Sequence, residues 1–318
     1  MIRGLLLACA LVLGGCAARP VVLDQANALP ARVELRKTPF FPQEAYQCGP
    51  AALATVLVQR GVETDPDALV GRVYLPGREG SLQVELVAAA RDQGLLAYPL
   101  DGTLDALMAE VAAGNPVLVM QNLRLAAWPE WHFAVLVGYD REAQRFILRS
   151  GTEARHDMSF RTFLRTWHNA GRWAVVTVGP GQLPATAQPM PWLQAASDLE
   201  QTGKGRAAAQ AYRTAAERWP AEGMPWFALA NNRYAAGELP QAEQALRESL
   251  ARQAGFAPAW SNLGQVLAER GCPAESRAAR ECALALSPED ARLRAPLPPA
   301  RQAAAGRCAV LPVCPAVP

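Results

Sequence analysis

Thirty-four residues separate Trp192 from Trp226 and Trp226 from Trp260, and the same interval separates Gly203, Gly237 and Gly271. Small residues follow the glycines at Ala208, Ala242 and Ser276, and Pro220 and Pro288 close the first and third units. A fixed period of this length calls for a supersecondary unit used three times over residues 189–288. Each unit reads as two helices that meet at the glycine, with small residues allowing close approach and the proline ending the second helix. One unit alone cannot bury its apolar face, so the three must stack into an all-α solenoid. The tryptophans are then packing residues. Asn231, Asn232 and Asn262 fall on first helices, the concave side, where amides can hold an extended backbone.

This pattern resembles the tetratricopeptide repeat, with Leu263-Gly264 as its best local match. The resemblance implies a protein partner docked on the solenoid. Ahead of it, Pro180-Gly181-Gln182-Leu183-Pro184 marks a change in composition, and residues 181–188 read as a linker that lets the repeats lie beside the preceding domain's cleft. Residues 289–318 form a Pro-rich tail.

Chemistry concentrates in the N-terminal half. Cys48 opens an apolar helical stretch after Gln43-Glu44-Ala45-Tyr46-Gln47, and His132 opens the apolar strand that runs from Trp131 to Asp140. A thiol at a helix start faces unpaired N–H groups and the positive end of the dipole, which lowers its pKa, and an imidazole beside it completes a nucleophile–base pair. Gln43 can offer an amide N–H to a developing oxyanion.

The Gln-x4-Cys-Gly-Pro opening, the His-Phe at a strand start and the order Cys before His resemble the bacteriocin-processing papain-like cysteine peptidases, cysteine-peptidase family 39. The resemblance spans Thr38 to Gly179 and includes Gly80-Ser81-Leu82, opening a second helix that stops at Gly94, and the strand Asn115-Pro116-Val117-Leu118-Val119. It implies an α+β papain-like domain over residues 38–180, with Cys48 as nucleophile, His132 as base and Gln43 as oxyanion donor. The family places an Asp on the strand returning beside the histidine, whereas this chain has Arg149-Ser150-Gly151. Asp140 sits in the hairpin turn, roughly 26 Å from His132 at strand rise. Antiparallel return instead brings Ser150 or Thr152 level with His132, and Ser150 is the candidate acceptor for its Nδ1–H.

Residues 1–15 carry Arg3 and the apolar run Leu5 to Leu13, an export signal too short to span a bilayer. Leu13-Gly14-Gly15-Cys16 resembles a bacterial lipobox, which implies lipidation of Cys16. Ala17 after it implies an outer-membrane address, with residues 16–37 as a tether into the periplasm. The net charge is +2, with both signs interspersed and no basic face for nucleic acid. Three scattered histidines and no paired-ligand spacing point to no metal, and no cofactor motif occurs.

Of seven cysteines, Cys9, Cys16 and Cys48 are spoken for, which leaves Cys272, Cys282, Cys308 and Cys314. An even set in an oxidising compartment suggests two disulfides tying the tail to the last helix, with three possible connectivities. Cys272 with Cys282 is disfavoured, since ten residues of one helix separate them by about 15 Å. The sequence thus leads to an envelope peptidase working through an acyl-enzyme on Cys48. The same residues also suit acyl transfer to an amine, and the missing acid leaves open a peptide-binding module of the same fold.

Overall fold

The computed structural model describes Val21 and residues 29–43, 47–125, 127–301 and 308–316. Residues 1–15, read from sequence as an export signal, and Cys16 lie outside these residues. Among those described, no helix is long and apolar enough to cross a membrane.

Seven antiparallel strands form one sheet: β1 (Arg32–Glu34), β2 (Leu96–Pro99), β3 (Val117–Asn122), β4 (Trp131–Asp140), β5 (Arg145–Ser150), β6 (Glu153–Ser159) and β7 (Ala174–Val178). Their order is β2-β7-β3-β4-β5-β6, with β1 paired to the far end of β4. Strands β3, β4 and β7 are almost wholly buried because helices cover both faces, and their sequences are accordingly continuous apolar runs without polar alternation.

Helices α1 (Cys48–Gln59), α2 (Pro66–Val73) and α3 (Gln83–Asp92) cover one face, meeting Leu118, Met120, Phe133, Val135 and Val137. The helix following Gly80 is therefore the third and not the second: α2 intervenes, capped by the Asp65 carboxylate accepting from the N–H of Ala68 at 2.8 Å. On the other face, α4 (Leu104–Ala112) and α5 (Phe160–His168) pack on Val117, Val119, Ala134, Leu136 and Leu148.

Six helices follow: α6 (Pro189–Gln201), α7 (Gly205–Arg218), α8 (Met224–Ala235), α9 (Leu239–Arg252), α10 (Ala257–Glu269) and α11 (Pro273–Leu286). They form three stacked pairs, a helical repeat solenoid. Gly203, Gly237 and Gly271 each adopt φ between +75° and +81°, so one left-handed turn is made three times between paired helices. Trp192 and Trp260 are buried, their indole N–H groups donating to the carbonyls of Ala211 and Ala254. Asn232 does not line the concave face; it is buried and donates to Glu200 at 2.6 Å and to the Gly205 carbonyl at 3.0 Å. Asn262 donates to Asn231 at 2.8 Å.

Disulfides join Cys272 to Cys308 and Cys282 to Cys314. They fix the tail to the N-cap and to the interior of α11, and Arg247 of α9 donates to the tail carbonyls of Ala309 and Val310.

The segment between the two domains is not a loose linker. The buried Glu110 carboxylate of α4 accepts from the N–H groups of Ala185 and Thr186, from the Thr186 hydroxyl and from Asn115 Nδ2. Tyr98 donates to the Thr186 carbonyl and accepts from the N–H of Gln188. Arg60, at the C-terminal end of α1, donates to Asn115 Oδ1 at 2.8 Å and to Gln182 Oε1 at 3.4 Å. One hydrophobic cluster runs from the α4/α5 face of the sheet into all three repeats. The first repeat therefore docks on β2 and the end of α3, where Tyr98 meets Trp192 and Arg91 pairs with Asp198 at 2.5 Å.

Candidate active site

Helix α1 starts at Cys48 because Pro50, lacking an N–H, fits the first turn, where helix donors have no partner. Gln47 provides no side-chain cap, so the N–H groups of Cys48 and Gly49 are left facing the thiol. Glycine is required at 49: a Cβ there would stand 2.2 Å from Ser81 Oγ, where the chain entering α3 crosses the helix.

The β4–β5 ladder stops at Val135 opposite Arg149. Beyond it, the chain leading into α1 occupies the gap. Gln43 donates its backbone N–H to the Gly151 carbonyl at 3.0 Å and its side-chain Nε2 to the Phe133 carbonyl at 3.5 Å, while the Phe133 N–H faces the Cys48 sulfur. Arg149, itself buried, holds the walls by donating to the carbonyls of Thr38, Arg36 and Ala154. His132 opens β4 in this gap, and its Nε2 lies 2.8 Å from Ser150 Oγ.

Gln43 thus meets Phe133 and Gly151, Cys48 faces the N–H of Phe133, and His132, the preceding residue of β4, meets Ser150. The nitrogen facing Ser150 is Nε2 and not the Nδ1 of the sequence-based expectation. Thr152 is exposed in the β5–β6 turn. Asp140 closes the β4–β5 turn by accepting from the Ala143 N–H and pairs with Arg32, at the opposite end of β4.

Burial governs the electrostatics. It pushes the Cys48 thiol up, and the N–H groups of Phe133, Gly49 and Cys48 offset this only partly. The lowering expected from the helix start is therefore overridden by desolvation. Burial also pulls His132 down to about 4, opposed by Glu130 and reinforced by His156. Burial thus favours the neutral thiol and the neutral imidazole. His156 Nδ1 lies 3.0 Å from Glu153 Oε1. His168 is exposed.

Sequence reasoning missed Gln121. It is buried on β3 directly opposite His132, and a glutamine inside an apolar strand was the available signal. Among the described residues, the one cluster with metal-ligand spacing is Cys272, Glu275 and Cys308. Its two sulfurs are joined to each other and offer no thiolate.

Among solved structures, the chain is similar to a C39-like peptidase from Bacillus anthracis, with a TM-score of 0.40 and 19% identity over 47% of this chain and 98% of that one. It is also similar to MamA, with a TM-score of 0.32 and 18% identity over 33% of this chain and 62% of that one. No curated protein matches it. Residues 35–175 match the Peptidase_C39 like family, and this stretch, which contains Gln43, Cys48, His132 and Ser150, has the C39-like, papain-like peptidase fold.

Proposed function

We propose that the N-terminal domain is a cysteine peptidase acting through an acyl-enzyme on Cys48. The observation that carries this reading is a free thiol at a helix start that faces the N–H of Phe133, next on β4 to an imidazole held by Ser150 at 2.8 Å. His132 takes the thiol proton, the thiolate attacks the substrate carbonyl carbon, and the oxyanion is met by the N–H of Cys48 and by Gln43 released from its long bond to Phe133. The imidazolium then protonates the leaving amine as the C–N bond breaks, and water hydrolyses the thioester. An amine in place of water would give acyl transfer from the same intermediate.

The bias toward the neutral forms favours a second reading, a papain-like peptide-binding module whose repeats dock a partner. A thiol-directed acyl electrophile separates the two. Stoichiometric labelling that disappears in Cys48→Ala and falls strongly in His132→Ala supports the peptidase, and equal labelling of all three forms eliminates it.

We further propose that the solenoid is a tetratricopeptide array that binds a protein partner, and that the chain is an outer-membrane lipoprotein held through Cys16 and facing the periplasm. The 34-residue period with its repeated glycine turn supports the first, and the Leu13-Gly14-Gly15-Cys16 motif supports the second. Mass spectrometry of the mature N-terminus tests the anchor: an unmodified Cys16 contradicts it.

A further inference from the structure

We propose that Gln121 is a positioning residue for His132, its side-chain carbonyl orienting and stabilising the imidazolium from the β3 side while Ser150 acts from the β5 side. This rests on Cys48 and His132 being nucleophile and base.

Gln121 stands directly opposite His132 in the β3–β4 register. Directly opposed residues share a face of the sheet, with Cβ atoms about 5 Å apart. The side chain is fully buried. Its Nε2 donates to Thr166 Oγ1 of α5 at 2.7 Å and to the Met158 sulfur at 3.4 Å. The Thr166 hydroxyl proton is itself committed within its own helix, to the carbonyls of Thr162 and Phe163. Thr166 can therefore only accept from Gln121, and this determines which end of the amide is nitrogen. Gln121 Oε1 is left as a buried acceptor with no partner.

A buried acceptor without a donor weakens the fold, and an apolar residue of similar length would avoid that weakness. The carbonyl is stabilised in a state where a positive charge arises beside it. That state forms when the Cys48 S–H bond breaks and the proton moves to His132. The ring then carries N–H on both nitrogens, and Ser150 can accept only from Nε2. The chain has no carboxylate on the returning strand. Glu130 is the one acidic residue acting on His132, and its side chain is also paired with Arg124. His156 opposes the imidazolium and is itself beside Glu153. The Gln121 carbonyl dipole supplies fixed negative potential on the flank that these groups leave open.

The test uses the full-length chain and measures Cys48 alkylation by iodoacetamide from pH 5 to 10, with His132 ring titration followed by NMR. Gln121→Met should slow alkylation at pH 7 by roughly tenfold without lowering Tm. Gln121→Glu, with a carboxylate in the same place, should raise the His132 titration point by at least one unit and restore the rate. An unchanged alkylation profile in Gln121→Met overturns the proposal. So does an unmoved His132 titration in Gln121→Glu, which also decides the matter should the Met variant misfold. His132→Ala is the control for the underlying reading. If it leaves alkylation unaffected, the nucleophile–base pair falls and this proposal with it; if it slows alkylation while Gln121→Met does not, only the role of Gln121 falls.

Discussion

His132 Nε2 and Ser150 Oγ lie 2.8 Å apart across the point where β4 and β5 stop pairing, so a neutral hydroxyl holds the candidate base where a carboxylate would hold it more strongly. Ser150→Ala should lower turnover by roughly tenfold, and Ser150→Asp should equal or exceed the wild type. Asp140→Ala, at the other end of the strand, should leave turnover unchanged. Steady-state kcat on a peptide substrate decides between these outcomes, and a collapse in Asp140→Ala contradicts the geometry.

His132 is folded in its uncharged form, with its titration point moved from 6.5 to about 4. Between these two values the unfolded chain binds a proton that the folded chain does not. The associated stability is present in full above pH 6.5 and drains away as the pH falls toward 4, amounting to roughly 3 kcal/mol. Urea unfolding at pH 7 and pH 4 should show that loss, and His132→Asn should remove most of the difference.

The raised thiol makes a parallel prediction for reactivity. Iodoacetamide labelling of Cys48 should be slower at pH 7 than that of a free cysteine, whose pKa is about 8.5, and should keep climbing above pH 9. A flat profile between pH 5 and 8 would reveal an ion pair already formed at rest.

Glu110→Gln should cost about 3 kcal/mol, because an amide nitrogen is set against donors from Asn115, Ala185 and Thr186. Limited proteolysis should then cut between residues 179 and 189, a stretch that the wild type protects.

The disulfides close loops spanning 36 and 32 residues in sequence. Replacing Cys272 and Cys308 together by Ser should destabilise the last repeat by about 3–4 kcal/mol. Hydrogen exchange should report faster opening of α10 and α11, with the sheet unaffected.

The element starts at Cys48 and near His132 are legible in the sequence because the local patterns declare them. The repeats are legible because periodicity survives without any knowledge of contacts. Helix α2 escapes notice although Asp65-Pro66 marks its beginning, since only Leu69 and Val73 are buried along it. The burial of Glu110 carries no local signal, because its partners come from the chain near 185. Gln121 carries no meaning until strand register sets it opposite His132. The direction of the thiol shift is hidden as well, because desolvation depends on what packs around α1 and a linear sequence does not record that.

The continuous core between the sheet and the solenoid bears on how such a chain can evolve. Tyr98 of β2 and Trp192 of α6 lie with ring centroids 6.5 Å apart, and the Glu110 carboxylate grips the backbone between them. A recombination joining this C39-like domain to another repeat array near residue 185 would leave one face of the sheet and a buried carboxylate without counterparts. Inheritance should therefore carry the two halves together, with Tyr98, Glu110, Asn115 and Trp192 changing in concert across lineages. Positions on the outer helices of the second and third repeats remain free to drift.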